Sequence, residues 1–230
     1  MGGLVMAELE LKPVGTRILT DKDNIVDMIE KYTKEDIGPD DVVSVAESVV
    51  AITQGRVARP EDFKVCFLAK ILCRFVPQKG SLSSVYGMQS LMDAEGKWRV
   101  LFAMIIGMFA KIVGKNGVFY ELAGSHAALV DDVTGTMPPF DKCLVYGPLE
   151  ANSVAEEIKR RLGCYGAAVA DVNDLKRALV VGASAGLDPK RLAHILIDNP
   201  FGNASQRTPI VIIKNYAAVE RRTENLLSIE

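Results

Sequence analysis

The fold is decided by Ser153–Asp171, which reads SVAEEIKRRLGCYGAAVAD. Ser153 and Glu156 have the spacing of a capping box, and the apolar residues behind them recur at helical spacing. Gly163 is the residue type that ends a helix in the left-handed conformation. Residues 166–170 are small and apolar, which predicts a short buried strand after the helix. The stretch therefore predicts a helix followed directly by a strand that ends at Asp171.

Further helices and strands are predicted on both sides of this stretch. The predicted helices cover Asp21–Lys34, Leu82–Ala94, a run after Gly96, Pro189–Ile197 and Asn215–Leu227. The predicted strands cover Val42–Ile52, Val118–Leu122, Leu179–Val181 and Ile210–Ile213. Long gaps with intervening helices separate the strands, so the fold class is mixed α and β (α+β). We expect a single domain over residues 1–230, with a possible helical insertion at residues 60–114.

Composition excludes several classes of protein. The chain has 230 residues with 27 Lys and Arg against 29 Asp and Glu, so the net charge of −2 removes the electrostatic case for a general nucleic-acid binder. The four cysteines form no C-x-x-C pair, which disfavours a zinc finger and indicates buried thiols in a reducing compartment. Met1–Leu11 lacks the basic start and apolar core of a signal peptide. We therefore expect a cytoplasmic protein.

Val100–Ala110 is a run of eleven residues without a polar side chain, bounded by Arg99 and Lys111. A helix needs about 20 apolar residues to span a membrane, so this one is too short. We expect a helix buried on all sides, and Ile105→Asp should then cost several kcal/mol. A homodimer interface is the first alternative. An in-plane membrane helix is less favoured, because the run has no polar face of its own.

Two groups of residues could bind a metal ion. Asp171 follows a predicted strand, and carboxylates at the carboxyl ends of strands are well placed to bind a hard cation. His126 suits a borderline metal, while Asp131 and its neighbour Asp132 suit magnesium or manganese. Each has a structural alternative, since Asp171 could be a turn acid and His126 a hydrogen-bonded structural residue.

Two further segments could bind a nucleotide. The loop Asn199–Thr208 contains Asn203, Ser205 and Gln206, whose amides and hydroxyl could hold phosphates or a base edge. At Gly55–Arg56 a glycine turn at a predicted strand end would let backbone N–H groups approach an anion. An ordinary surface loop and a plain turn are the alternatives.

The order of these segments resembles the γ-glutamyl ligases of coenzyme F420. Gly15–Ile25 (GTRILTDKDNI) resembles the family's opening G-x-P-x-I-x-x-G-D-D-L, and Asp41–Arg56 resembles its strand ending in S-K-x-E-G-R. Ser153–Asn173 resembles the helix and strand that lead to the family's D-T-x-G-R turn, which aligns Asp171 with its metal-binding aspartate. The chain departs from the family at three charged positions. Ile52 stands for its lysine, Gln54 for its glutamate and His126 for a metal-binding aspartate.

The resemblance implies mixed sheets flanked by helices and a GTP- and metal-dependent ligase. Such an enzyme phosphorylates a carboxylated cofactor and then joins glutamate to it through an amide. Asp171 would bind manganese or magnesium, with His126 or Asp131 as second ligand, and Gly55, Arg56, Asn203, Ser205 and Gln206 would contact GTP. The resemblance carries no catalytic residue over to this chain. The departures leave a non-catalytic nucleotide- or cofactor-binding relative open, and the apolar run leaves an assembly or membrane-surface protein open.

Overall fold

A mixed β-sheet organises one part of the chain, which the computed structural model describes over residues 9–76, 81–124, 138–202 and 205–227. Two compact units are present. The sheet unit comprises the described residues up to Gly55 and from Pro148 onward, and the helical unit spans Arg56–Gly147. Whether the second unit is an insertion into a single domain stays a prediction.

The described strands and helices follow one another along the chain. The strands are β1 Glu10–Val14, β2 Val42–Ala46, β3 Val57–Ala58, β4 Leu144–Val145, β5 Gly166–Asn173, β6 Arg177–Ala183 and β7 Ile210–Lys214. The helices are α1 Ile25–Thr33, α2 Glu47–Thr53, α3 Phe67–Leu72, α4 Val85–Glu95, α5 Lys97–Ile112, α6 Val118–Ala123, α7 Ala151–Leu162, α8 Pro189–Ile195 and α9 Tyr216–Leu227. Short 3₁₀ turns occupy Pro60–Asp62, Cys73–Phe75 and Ser81–Ser83.

The sheet of the sheet unit has the strand order β1-β7-β2-β5-β6. Only β2 and β5 are parallel, and the other neighbours are antiparallel. Alternation along β2 sends Val43 toward a core layer formed by α1 and α7, whereas Val42 points to the opposite layer of α8 and α9. Helices therefore cover both faces, which confirms the mixed α+β class with a mixed sheet flanked by helices.

Two predicted strands are wrong in whole or in part. The strand predicted for Val42–Ile52 ends at Ala46, and Glu47–Thr53 is helical. The ladder ends there because the neighbouring strand begins at Ile210, with Ala46 N donating to Pro209 O at 2.9 Å. The predicted strand Val118–Leu122 is the helix α6. Its Phe119 packs so closely on Gly107 of α5 that a Cβ there would lie 2.8 Å from the Phe119 Cβ.

The stretch Ser153–Asp171 forms the predicted helix and strand, with different ends. Helix α7 begins at Ala151, so Ser153 lies inside it, and Glu156 accepts a hydrogen bond from Ala185 N instead of closing a capping box. Gly163 ends the helix with φ of +63°, as predicted. Strand β5 continues past Ala170 to Asn173, because the hairpin partner β6 supplies backbone partners along this half.

The helical unit has one apolar core, formed mainly by α3, α4 and α5, and a two-residue ladder between β3 and β4. Helix α5 confirms the predicted helix after Gly96, but the expectation that it is buried on all sides is wrong. Of its residues, only Val100, Ala103 and Met104 are buried. Ile105 lies on the other side and is 37% exposed. Within the described residues, no helix is both long and apolar enough to cross a bilayer.

Candidate site at the carboxyl end of the parallel strands

The candidate site lies where the parallel strands β2 and β5 end. Ala46 pairs with Ala170 in the last register position. Asp171 is the next residue of β5, and Glu47 is the first residue of helix α2 after β2 ends. The loop that precedes β7 returns to the same edge, because Pro209 O accepts from Ala46 N. The carboxyl ends of parallel strands are the usual place for ligands in α/β sheets. The fold thus puts Asp171 and this loop at one edge of the sheet.

Asp171 belongs to β5, but unlike the buried residues before it in this strand it is exposed. Among the described residues, its carboxylate has no hydrogen bond or ion pair. Surrounding protein atoms partly desolvate the carboxylate, and this raises its pKa. A raised pKa without a neighbouring cation means that the ionised form lacks compensation. A cation at this position would supply that compensation, so the chemistry of Asp171 suits a metal ligand.

The loop before β7 is anchored to the hairpin turn that follows β5. Asn199 Nδ2 donates to Asp174 Oδ1 at 2.6 Å, and Lys176 forms an ion pair with Asp198. Ser205 and Gln206 lie in an exposed turn of this loop. Gly202 has φ of +67°, and a Cβ there would overlap the Gln206 amide. The two predicted loop residues that are described therefore sit on an anchored segment.

At this edge, neighbouring side chains of β5 point to opposite faces of the sheet. Val172 packs in the same core layer as Phe201 at the start of the loop. Asp171 is the next residue along the strand and points to the opposite face, because side chains alternate. Asp171 and the start of the loop therefore share an edge but lie on opposite faces of β5.

Gly55 follows helix α2 in the sheet unit, and Arg56 is the first residue of the helical unit. Helix α2 carries the chain about 10 Å along its axis before Gly55, since seven residues rise by ~1.5 Å each. Gly55 has φ of +69°, which favours glycine at the turn. In the helical unit, Arg56 Nε donates to Gly147 O at 2.5 Å, and the guanidinium lies 5.6 Å from the centre of the Tyr146 ring. The role of both residues in nucleotide binding stays a prediction.

Two of the three positions that the resemblance aligns with charged family residues have structural roles here. Ile52 is buried and 4% exposed, so a lysine at this position would place an ammonium in an apolar environment. Gln54 makes two hydrogen bonds with the backbone of Leu149. Its Nε2 donates to Leu149 O at 3.0 Å, and its Oε1 accepts from Leu149 N at 2.8 Å. A glutamate could not make the first of these two bonds.

Three predicted site residues, His126, Asp131 and Asn203, lie outside the described residues. Over residues 9–76, 81–124, 138–202 and 205–227 there is no group of three or more His, Cys, Asp and Glu side chains that could hold a metal ion. The sequence analysis also does not single out Glu47, which is half-buried and is the first residue after β2 ends. It was missed because residues 42–52 were interpreted as one strand. The signal that could have found it is the acid that follows the buried, mostly apolar segment Val42–Ala46.

The fold and this edge define a mixed α+β protein with a candidate ligand site at the end of two parallel strands. The family model described as F420-0:Gamma-glutamyl ligase matches residues 13–172. The chain therefore belongs to the F420-0:gamma-glutamyl ligase family. No curated protein matches the sequence. The family match ends one residue after Asp171, so it does not reach Asn203, Ser205 or Gln206.

Proposed function

We propose that the protein is a GTP- and metal-dependent ligase that joins glutamate to a carboxylated cofactor of the coenzyme F420-0 type. Family membership supports a ligase-like function related to coenzyme F420. The single observation that carries the site is the exposed carboxylate of Asp171, which has no partner among the described residues at the carboxyl end of β2 and β5.

The proposed reaction has two steps. A carboxylate oxygen of the acceptor attacks the γ-phosphorus of GTP, and GDP leaves as an acyl phosphate forms. The amine of glutamate then attacks the acyl carbon, inorganic phosphate leaves, and an amide bond remains after loss of a proton. Both steps concentrate negative charge, so positioning and charge compensation supply most of the catalysis.

The predicted site residues have defined roles in this proposal. Asp171 would hold a divalent ion, manganese or magnesium, with His126 or Asp131 as a further ligand. Such an ion, when bound, neutralises phosphate charge. The Ser205 hydroxyl and Gln206 amide would donate hydrogen bonds to the nucleotide, together with Asn203. Because imidazole suits manganese better than magnesium, His126 in place of an aspartate favours manganese.

A non-catalytic relative that binds nucleotide or cofactor is the second candidate. Two observations favour it, namely the burial of Ile52 where the family has a lysine and the use of Gln54 as a backbone clamp. The first removes a positive charge that could offset phosphate charge, and the second removes a carboxylate that could bind a cation. Restoring the lysine is a poor test, because burying its ammonium at position 52 should destabilise the protein.

Two further parts of the proposal concern the protein's surroundings. The four cysteines are free thiols, and a reducing cytoplasm would keep them so. A homodimer remains a prediction.

The test is a thermal-shift titration of Asp171→Asn with manganese and GTP. We expect the parent to be stabilised by manganese with GTP and the variant to lose this response while unfolding cooperatively without ligand. Asp36→Asn is the matched control, because Asp36 is an exposed acid that precedes β2 at the opposite end of the strand. If the variant responds to manganese like the parent, Asp171 is not a ligand.

Mass spectrometry separates the two candidate functions. Parent protein incubated with coenzyme F420-0, glutamate, GTP and manganese should yield a product heavier by one glutamyl residue. A manganese–GTP thermal shift without this product would favour the non-catalytic relative. Neither shift nor product would contradict both candidates.

A further inference from the structure

Helix α5 and the residue that follows it present an apolar stripe that the other described residues leave exposed. The apolar stripe consists of Trp98, Phe102, Ile105, Ile106, Met108, Phe109, Ile112 and Val113. Trp98 is 72% exposed, Phe109 68% and Ile112 79%. At 100° per residue these side chains cover about 160° of the helix, centred opposite the buried Val100, Ala103 and Met104. The stripe is therefore one continuous surface along a helix about 24 Å long.

The stripe is too large to be ordinary surface. Its eight side chains expose on the order of 900 Å² together, whereas the largest apolar patch on a typical monomer is about 300–600 Å². Patches above this size mark an interaction with protein or membrane. Size alone does not choose between these two partners, because one side of a standard protein interface also buries about 800 Å².

The net charge around the stripe distinguishes a membrane partner from a protein partner. Between Phe63 and Tyr120 the chain carries eight Lys and Arg but only two Asp and Glu, a net charge of +6. Both acids are engaged, since Glu95 pairs with Arg99 at 2.6 Å and Asp93 accepts from Gln89 at 2.8 Å. Residues 56–147 carry eleven basic and eight acidic residues, a net charge of +3. The rest of the chain carries sixteen and twenty-one, a net charge of −5.

Basic residues also stand at both ends of the stripe. Lys97 lies at the start of the stripe, and Lys111 and Lys115 lie at its end. Arg99 is also at the start, but it pairs with Glu95. Residues 97–120 contain no acid. An apolar face with aromatic residues and basic ends is the composition of a helix that lies in the interface of an anionic membrane.

We propose that the apolar stripe docks the helical unit onto the surface of a bilayer that contains anionic lipids. The aromatic and aliphatic side chains enter the boundary between headgroups and acyl chains, and the flanking Lys side chains lie at the anionic headgroups. The sequence pattern disfavours a membrane surface as the partner, because α5 has no polar face of its own. In the folded protein a polar face is unnecessary, since Val100, Ala103 and Met104 attach the other side of the helix to the core.

A second copy of the chain fits the stripe less well. Both ends of α5 are basic, so pairing two stripes in either direction brings basic ends together without acids on the helices. Protein interfaces also carry about one hydrogen bond per 100–200 Å². The stripe's side chains offer only the Trp98 indole N–H as a donor, and they offer no oxygen or nitrogen acceptor. Lipid acyl chains require neither.

The test uses the full chain and vesicles of phosphatidylcholine with or without phosphatidylglycerol. Trp98 is the single tryptophan, so its emission reports directly on the stripe. We expect its emission to shift to shorter wavelength, and the protein to co-sediment, only with vesicles that contain phosphatidylglycerol. Raising the salt concentration should weaken this binding.

Variants identify the surface that binds. Phe102→Ser with Phe109→Ser should reduce binding to anionic vesicles by about tenfold or more, and Lys111→Glu with Lys115→Glu by about tenfold. Leu175→Ser with Leu179→Ser removes two equally exposed leucines from the sheet unit and should bind like the parent. Circular dichroism of each variant verifies that it is folded.

Three results would overturn the proposal. One is an unshifted Trp98 emission with anionic vesicles. Another is equal binding to pure phosphatidylcholine, since this would remove the role of the basic ends. The third is light scattering that shows a dimer of the parent and a monomer of the Phe102/Phe109 variant, with neither bound to vesicles. This last outcome would assign the stripe to a second copy of the chain.

Discussion

The sheet unit and the helical unit use apolar residues in opposite ways. In the sheet unit, alternation along β2, β5 and β7 produces two apolar faces, and helices cover both. In the helical unit, α5 is apolar around most of its circumference, but the core covers only one side of it. The two units also differ in net charge, −5 against +3.

The difference teaches that an apolar run does not by itself specify burial. A central strand has neighbours on two edges and layers on two faces, so every side chain along it meets protein. A helix that packs on a single core has one covered side, whatever its composition. The sheet unit is therefore organised for internal contacts, whereas the helical unit retains apolar surface for a partner.

The largest effect should come from the buried charge that joins strands in the sheet unit. Asp41 accepts hydrogen bonds from Lys214 Nζ at 2.5 Å, Gly38 N at 2.7 Å and Asn215 N at 2.8 Å. Its side chain is only 4% exposed. Asp41→Ala removes the acceptor of Gly38 N and Asn215 N and leaves Lys214 Nζ with only its bond to Asp36 O. We therefore expect a loss of about 3–5 kcal/mol in the free energy of unfolding, measured in urea.

The neighbouring acid is the control for this prediction. Asp40 pairs with Arg221 at 3.0 Å, but both side chains are largely exposed. Asp40→Ala should therefore cost less than about 1 kcal/mol. Equal losses for the two variants would mean that Asp41 does not hold the strands together.

An intermediate effect should distinguish the two sides of α5. Met104 is 4% exposed and packs in the core of the helical unit, whereas Ile105 is in the apolar stripe. We expect Met104→Ala to cost about 2–4 kcal/mol because it leaves a cavity. Ile105→Ala should cost less than about 1 kcal/mol, as measured by urea unfolding in the absence of lipid. A larger loss at Ile105 would mean that the stripe is covered in solution.

The smallest effect concerns pH and the sheet unit. The Arg17 guanidinium and the Thr20 N–H lower the pKa of Asp23 to about 2. Because this pKa lies below the unfolded value of about 3.9, the ionised carboxylate stabilises the fold above pH 4, and the gain disappears as the pH falls toward 2. Half of the Arg17 side chain is exposed, so solvent screening limits the gain to about 1 kcal/mol.

Asp23→Asn should therefore destabilise the protein at pH 7, and the difference from the parent should shrink below pH 4. Glu61→Gln in the helical unit is the control, because its contact with Arg59 is long, at 3.7 Å, and exposed. It should change stability little at either pH. A loss for Asp23→Asn that is the same at pH 7 and pH 3 would contradict the role of the Asp23 charge.

Much of the fold could be predicted from local patterns. The helix Ile25–Thr33, the hairpin strand Arg177–Ala183, the helix after Asp188 and the strand Ile210–Lys214 lie near their predicted positions. Within the site, the order of motifs correctly indicated the family and placed Asp171 near a strand end. The break at Ala46 could not be predicted, because Val50 and Ile52 suit a buried strand and a buried helix equally well.

The sequence alone determined the α+β class, the family and the composition of α5. These depend on residue types and on spacings of two to four residues, which any reader of the chain can see. Only the tertiary structure decided which side of α5 faces solvent, where β2 ends and what Gln54 binds. Leu149 is its partner and lies 95 residues away. Such contacts depend on which distant segments fold against each other, and the spacing of residues along the chain does not predict this.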